Sequence, residues 1–108
     1  MEYIDMCTAE AQKSTMYYKV GAIIVDKNGN VIGKGYNLKL STHPEKVRIS
    51  IHAEQMAISR APKKELKNAT LYVARITEGG SGISRTHPCK KCITMITKHN
   101  IRRVYYPI

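Results

Sequence analysis

Two short segments constrain this chain more than any others: His52-Ala53-Glu54 and, downstream, Pro88-Cys89-Lys90-Lys91-Cys92. One histidine and two cysteines are borderline-to-soft donors, the set that zinc binds well. Three protein ligands leave the fourth tetrahedral position to water, which marks a catalytic rather than a structural site. Glu54 is two residues from His52, is not needed as a ligand, and can move protons. Cys89 and Cys92, at i and i+3 of a helix, point the same way and towards one ion. Both segments fall at predicted helix starts, where the partial positive charge of the helix favours thiolates and hydroxide.

A structural zinc would need a fourth protein ligand, and His43, His87, His99 and Cys7 are the candidates. His99 lies seven residues past Cys92 on the same predicted helix, roughly 10 Å along the axis, and cannot share the ion. His87 is too close in the chain to Cys89 for good tetrahedral geometry. Cys7 falls on an apolar stripe and is read as a packing residue. A thioredoxin-like redox pair would also set CxxC at a helix start, yet it leaves His-Ala-Glu without a role.

The remaining sequence has room for one domain, residues 1–108. With 43% hydrophobic residues, no Trp, no Phe and seven Tyr, the core is built from aliphatic side chains and tyrosine. Met1-Glu2-Tyr3-Ile4-Asp5 has neither a basic region nor an apolar run, which argues against a signal peptide. No apolar stretch reaches the roughly 20 residues of a membrane span. Three cysteines, two in one CxxC, speak against a disulfide framework and for a reducing, cytoplasmic setting. The net charge of +10 draws polyanions, nucleic acid or phosphorylated nucleotide alike, and does not choose between them.

Taken in order, Ile4, Cys7 and Ala11 predict an amphipathic helix over 3–14. Val20–Val25 is a strand buried on both faces. Asp26–Asn30 is a turn centred on Asn28-Gly29, and Val31–Tyr36 returns antiparallel to deliver Asn37 at its end. Leu38–Ser50 is expected as a loop over the site, with Ser50 as a helix cap. A helix follows from His52 to Ala61, stopped by Pro62. Lys63, Lys64 and Lys67 lead into a strand over 69–76. The glycines at 79, 80 and 82 break that run, and 83–86 returns as a loose hairpin or a long loop. A second site helix runs from Pro88 to His99-Asn100, and Arg102–Ile108 is the last strand. The order is αββαβαβ, a mixed sheet flanked by helices.

At these residues the chain resembles the cytidine/deoxycytidylate deaminase superfamily, and over almost its whole length. Among its members it is most similar to small deoxycytidylate-deaminase-like proteins, viral ones included. His-x-Glu followed by Pro-Cys-x-x-Cys is the signature of the zinc nucleobase deaminases. Lys19–Val25 is similar to the family's first strand, Gly35-Tyr36-Asn37 to the end of its second, and Asn100–Tyr106 to its fourth. The resemblance implies a three-layer α/β/α sandwich with Zn2+ on His52, Cys89 and Cys92, ending after the fourth strand where relatives usually continue. It also implies hydrolysis of a cytosine base to uracil: zinc supplies hydroxide, which adds to the ring carbon bearing the amine. Glu54 would take the proton from water, protonate the ring nitrogen and, with a second proton, the departing ammonia. Asn37, the backbone N–H of Ala53, Ala22 and Arg85 are the implied substrate contacts, with Lys90 and Arg48 as further phosphate candidates.

Departures from the family pattern keep other substrates open. Leu38-Lys39 follows Gly-Tyr-Asn where deoxycytidylate deaminases usually have Gly-Thr-Pro. Residues 78–87 are an insertion relative to the tRNA adenosine deaminases, which commonly carry a glutamate at the position of His87. The alternative substrate is therefore single-stranded DNA or RNA, with Tyr17, Tyr18 and Tyr36 as candidate stacking residues. An uncovered last strand and the apolar positions Ile93, Met95 and Ile96 lead us to expect a homo-oligomer.

Overall fold

The structure is a computed structural model, and it describes residues 2–16, 18–39, 50–76, 83–84 and 90–106. Its elements are α1 (Glu2–Ala11), β1 (Lys19–Val25), β2 (Val31–Tyr36), β3 (Leu38–Lys39), β4 (Ser50–Ile51) and α2 (Ala53–Arg60). A 3-10 turn (Lys63–Glu65) then leads to β5 (Thr70–Ile76), β6 (Ile83–Ser84), α3 (Lys90–Lys98) and β7 (Arg103–Tyr105). The order αββαβαβ is present, with the two-residue strands β3, β4 and β6 added.

The sheet runs β2-β1-β5-β6, and β7 also pairs with β5. β1 is antiparallel to both β2 and β5, whereas β7 runs parallel to β5, Thr70 opposite Arg103 and Tyr72 opposite Tyr105. A parallel neighbour requires a crossover, and α3 provides it. Ile83 and Ser84, where the sequence allows a loose hairpin or a long loop, form a short antiparallel ladder with β5, Ile83 opposite Ile76. The expected loop over 38–50 has paired ends, Leu38 with Ile51 and Lys39 with Ser50, while 40–49 lie outside the described residues. Ser50 belongs to β4, and the N-cap position of α2 falls to His52.

Side chains alternate across a strand, and β1 divides its apolar residues between two helical layers. Ala22 and Ile24 enter the core shared with α2 and α3, which includes Ala57, Leu71, Val73, Ile96 and Ile101. Ile23 and Val25 face α1 together with Cys7 and Ala74. The sheet is thus covered on both faces, a three-layer α/β/α arrangement. Each fully enclosed Ile, Leu or Val contributes roughly 1.5–3 kcal/mol of transfer free energy. Burial pushes the Cys7 thiol up to about 12. It remains a thiol at neutral pH, donates to the Tyr72 carbonyl at 3.2 Å, and serves as packing.

Local chemistry sets the ends of the elements. In the β1–β2 turn, Asp26 accepts from the backbone N–H of Asn28 and Asn30, and Gly29 takes φ 89°. The hydrogen bond from the Asn30 amide is the main cause holding the Asp26 carboxyl below its usual value. α3 ends in a Schellman motif: Ile101 N–H reaches the Ile96 carbonyl, Asn100 N–H reaches Thr97, and Asn100 is left-handed at φ 58°. Ile96 and Ile101 are both buried, supplying the apolar contact that accompanies this cap. The motif turns the chain from α3 directly into β7.

Candidate metal centre

α2 lies unusually close to the sheet because the facing surfaces carry almost no side chain. Gly33 and Gly35 on β2 meet Ala53, Ala57 and Ala61, one residue per helical turn. A methyl added at Gly35 would come within 2.4 Å of the Ala53 carbonyl oxygen and 2.5 Å of the Ala57 nitrogen. This close approach sets the first turn of α2, and with it the His-x-Glu segment.

His52 is the N-cap residue, with extended backbone at φ −77° and ψ 153°. Its own N–H donates to the Gln55 side chain at 2.9 Å, fixing the entry angle of the chain. The first intrahelical bond joins Met56 N–H to the His52 carbonyl, so the Ala53 amide precedes the ladder. His52 is exposed, Ala53 and Glu54 are buried, and the cluster opens to solvent on its histidine side.

Across from it, the fully buried Cys92 on α3 sets its Sγ 3.6 Å from His52 Nδ1. A zinc held tetrahedrally by a nitrogen at about 2.1 Å and a thiolate at about 2.3 Å separates those two atoms by about 3.6 Å. A thiol–imidazole hydrogen bond fits the same spacing, so the distance alone does not decide. The wider cluster adds to it: ligand atoms of His52, Glu54 and Cys92 all lie within 4.8 Å of one another. Cys89 and Arg85 lie outside the described residues, as do Arg48 and Tyr17.

The other expected substrate contacts occupy different surroundings. Ala22 is wholly enclosed beneath α2, and its side chain presents no surface to a ligand. Asn37 is buried, and its amide is committed to the start of β1: Oδ1 accepts from Val20 N–H at 2.9 Å, and Nδ2 donates to the Tyr18 carbonyl. Lys90, in the first turn of α3, is exposed. Tyr18 is 54% exposed, with the Arg75 guanidinium 4.0 Å from its ring centre.

One residue at the centre has no counterpart in the sequence reasoning. Tyr106, just past β7, donates its hydroxyl to Glu54 Oε2 at 3.2 Å. The sequence carried a usable signal, since strand alternation sets Tyr106 on the same face as Val104, towards α2 and α3. Tyr105, on the other face, stacks on Tyr72 at 5.1 Å.

Comparison with known proteins decides what kind of centre this is. Residues 1–108 match the family described as "Cytidine and deoxycytidylate deaminase zinc-binding region". The chain belongs to that family. It is therefore a zinc-dependent enzyme of the cytidine/deoxycytidylate deaminase type, and zinc is its cofactor. It is 30% identical over 128 residues to the deoxycytidylate deaminase of Mycobacterium phage D29, covering 97% of this chain and 91% of that protein. The tRNA-specific adenosine deaminase of Haemophilus influenzae is 31% identical over 91 residues, 81% of this chain and 44% of that protein. Among solved structures, the dCMP deaminase of cyanophage S-TIM5 in apo form superposes with a TM-score of 0.69 at 26% identity, over 96% of this chain and 78% of that one. The same cyanophage enzyme has also been solved in complex with dCMP and dUMP. Among the described residues, no helix is long and apolar enough to cross a membrane.

Proposed function

We propose that this chain, acting as a single deaminase domain, hydrolyses the exocyclic amine of cytosine in a nucleoside or nucleotide, releasing ammonia and leaving uracil. The observation that carries the proposal is the convergence of His52, Glu54 and Cys92 within 4.8 Å at the meeting of two helices. His52 through Nδ1, Cys92 and Cys89 would hold the zinc, which when bound supplies Lewis acidity towards water. Glu54, buried beside His52 and Cys92, carries the first proton of the attacking water to the ring nitrogen, then moves the hydroxyl proton of the adduct to the amine, which leaves as ammonia as the carbonyl forms. The Ala53 N–H, unused by the helix, is available to the base carbonyl. Relatives named for deoxycytidylate support a nucleotide substrate, with Lys90, which is exposed, and Arg85 as candidate phosphate contacts. Free thiol ligands of this kind suit a reducing compartment, and the reading carries with it a cytoplasmic setting.

The test is ammonia release by the zinc-loaded protein with cytidine, deoxycytidine, their monophosphates, adenosine and single-stranded oligonucleotides. Turnover is expected with the free cytosine substrates, fastest with a monophosphate. Activity on oligonucleotides alone would instead support polynucleotide editing. That second possibility draws on the net charge of +10, the exposed Tyr18 with the Arg75 guanidinium against its ring, and the tRNA-specific relative.

We also propose a homo-oligomer. Ile93, next to Cys92 on α3, is 48% exposed, an apolar side chain that a second copy would cover. Light scattering at micromolar concentration should return a multiple of 12.2 kDa, and an active species at 12.2 kDa would refute the oligomer.

A further inference from the structure

We infer that Tyr106 is a positioning residue for Glu54, holding the carboxylate in the orientation that proton transfer needs; the inference rests on the function proposed above. A proton shuttle must point one oxygen at the water and then at the base, and a rotating carboxylate wastes most of its conformations. The Glu54 side chain is buried in the first turn of α2, with Oε2 bonded to the Tyr106 hydroxyl at 3.2 Å. That bond fixes one oxygen and leaves Oε1 to serve as the proton-carrying atom.

The contact is built by the fold and is not a chance meeting of surface groups. The Schellman cap at Asn100 directs the chain into β7, whose parallel pairing with β5 fixes its register. Alternation then turns Val104 and Tyr106 into the α2/α3 core and Tyr105 outwards. The phenol body is anchored in that apolar layer, so its hydroxyl reaches Glu54 from a rigid support. A phenol also suits the task electrically: it donates one hydrogen bond to the carboxylate without adding a charge beside the metal ligands.

The experiment compares wild type with Tyr106→Phe, which removes only the hydroxyl, and with Tyr105→Phe as a control on the opposite face. For Tyr106→Phe, kcat should fall about 10- to 100-fold, the loss of one hydrogen bond to a charged group. KM, zinc content and melting temperature should stay near wild type. Affinity for a hydrated-pyrimidine transition-state analogue, measured by calorimetry, should fall with kcat, while affinity for the uracil product should not. Tyr105→Phe should match wild type in kcat. Unchanged kcat and analogue affinity in Tyr106→Phe would overturn the role, as would equal losses in analogue and product binding. A wild type that deaminates adenine in place of cytosine corrects the substrate alone; the same comparison, run on adenine with a hydrated-purine analogue and the hypoxanthine product, should give the same loss. A wild type inactive on every base overturns both proposals.

Discussion

Glu54→Gln should leave a folded, zinc-loaded protein that has lost about 10²- to 10⁴-fold in kcat, the usual contribution of a positioned acid–base group. Glutamine keeps the shape of the side chain and can still accept the Tyr106 hydrogen bond through its amide oxygen, so little should change in packing. It cannot accept a proton from water or return one to the base. The variant therefore separates proton transfer from metal binding, which matters because Glu54 stands with His52 and Cys92 in one cluster of potential ligands. Zinc stoichiometry by mass spectrometry should remain at the wild-type value. If zinc is lost with the carboxylate, Glu54 is a ligand and the proton shuttle lies elsewhere. Retained turnover would remove it from the mechanism altogether.

The placement of His52 and Glu54 was legible because its geometry is local: a residue at an N-cap and another two positions on are related by helix periodicity alone. The β1 run was likewise readable, since β-branched residues without polar alternation need cover on both faces. What escaped depends on long-range placement. Tyr106 was visible only as a good strand former, because its partner is 52 residues away and is chosen by the register of β7 on β5. Asn37 was correctly placed at the end of β2, but only the structure shows its amide tied to the backbone of Tyr18 and Val20. Ser50 had the right chemistry for a cap, yet Gln55 reaching back to His52 satisfies that end of α2 and leaves Ser50 to a ladder.

A large loss of stability that also reaches the site should come from Gly35→Ala. Gly35 needs no unusual backbone angle, and its constraint is space. The new methyl would sit 2.4 Å from the Ala53 carbonyl oxygen, 2.5 Å from the Ala57 nitrogen and 2.9 Å from Met56 Cβ. Two of these three are backbone atoms of a helix, which cannot swing aside as the end of a side chain can. α2 must therefore lift from the sheet, loosening its contacts with Ala22, Ile24 and Val73. Overpacking of this kind costs roughly 1–3 kcal/mol, and rigid neighbours put it at the upper end. In a chain of 108 residues that corresponds to a fall in melting temperature of roughly 10–20 °C. The shift should also reach the site, because Ala53 lies between His52 and Glu54. A displaced first turn changes the 3.6 Å spacing of His52 Nδ1 and Cys92 Sγ, so zinc affinity should weaken together with stability. Chelator competition measured beside the melting curve checks both. A variant that melts like wild type would show that the helix yields easily at this contact, whereas one that melts early with unaltered zinc affinity would show that the first turn of α2 is held by α3 and not by the sheet.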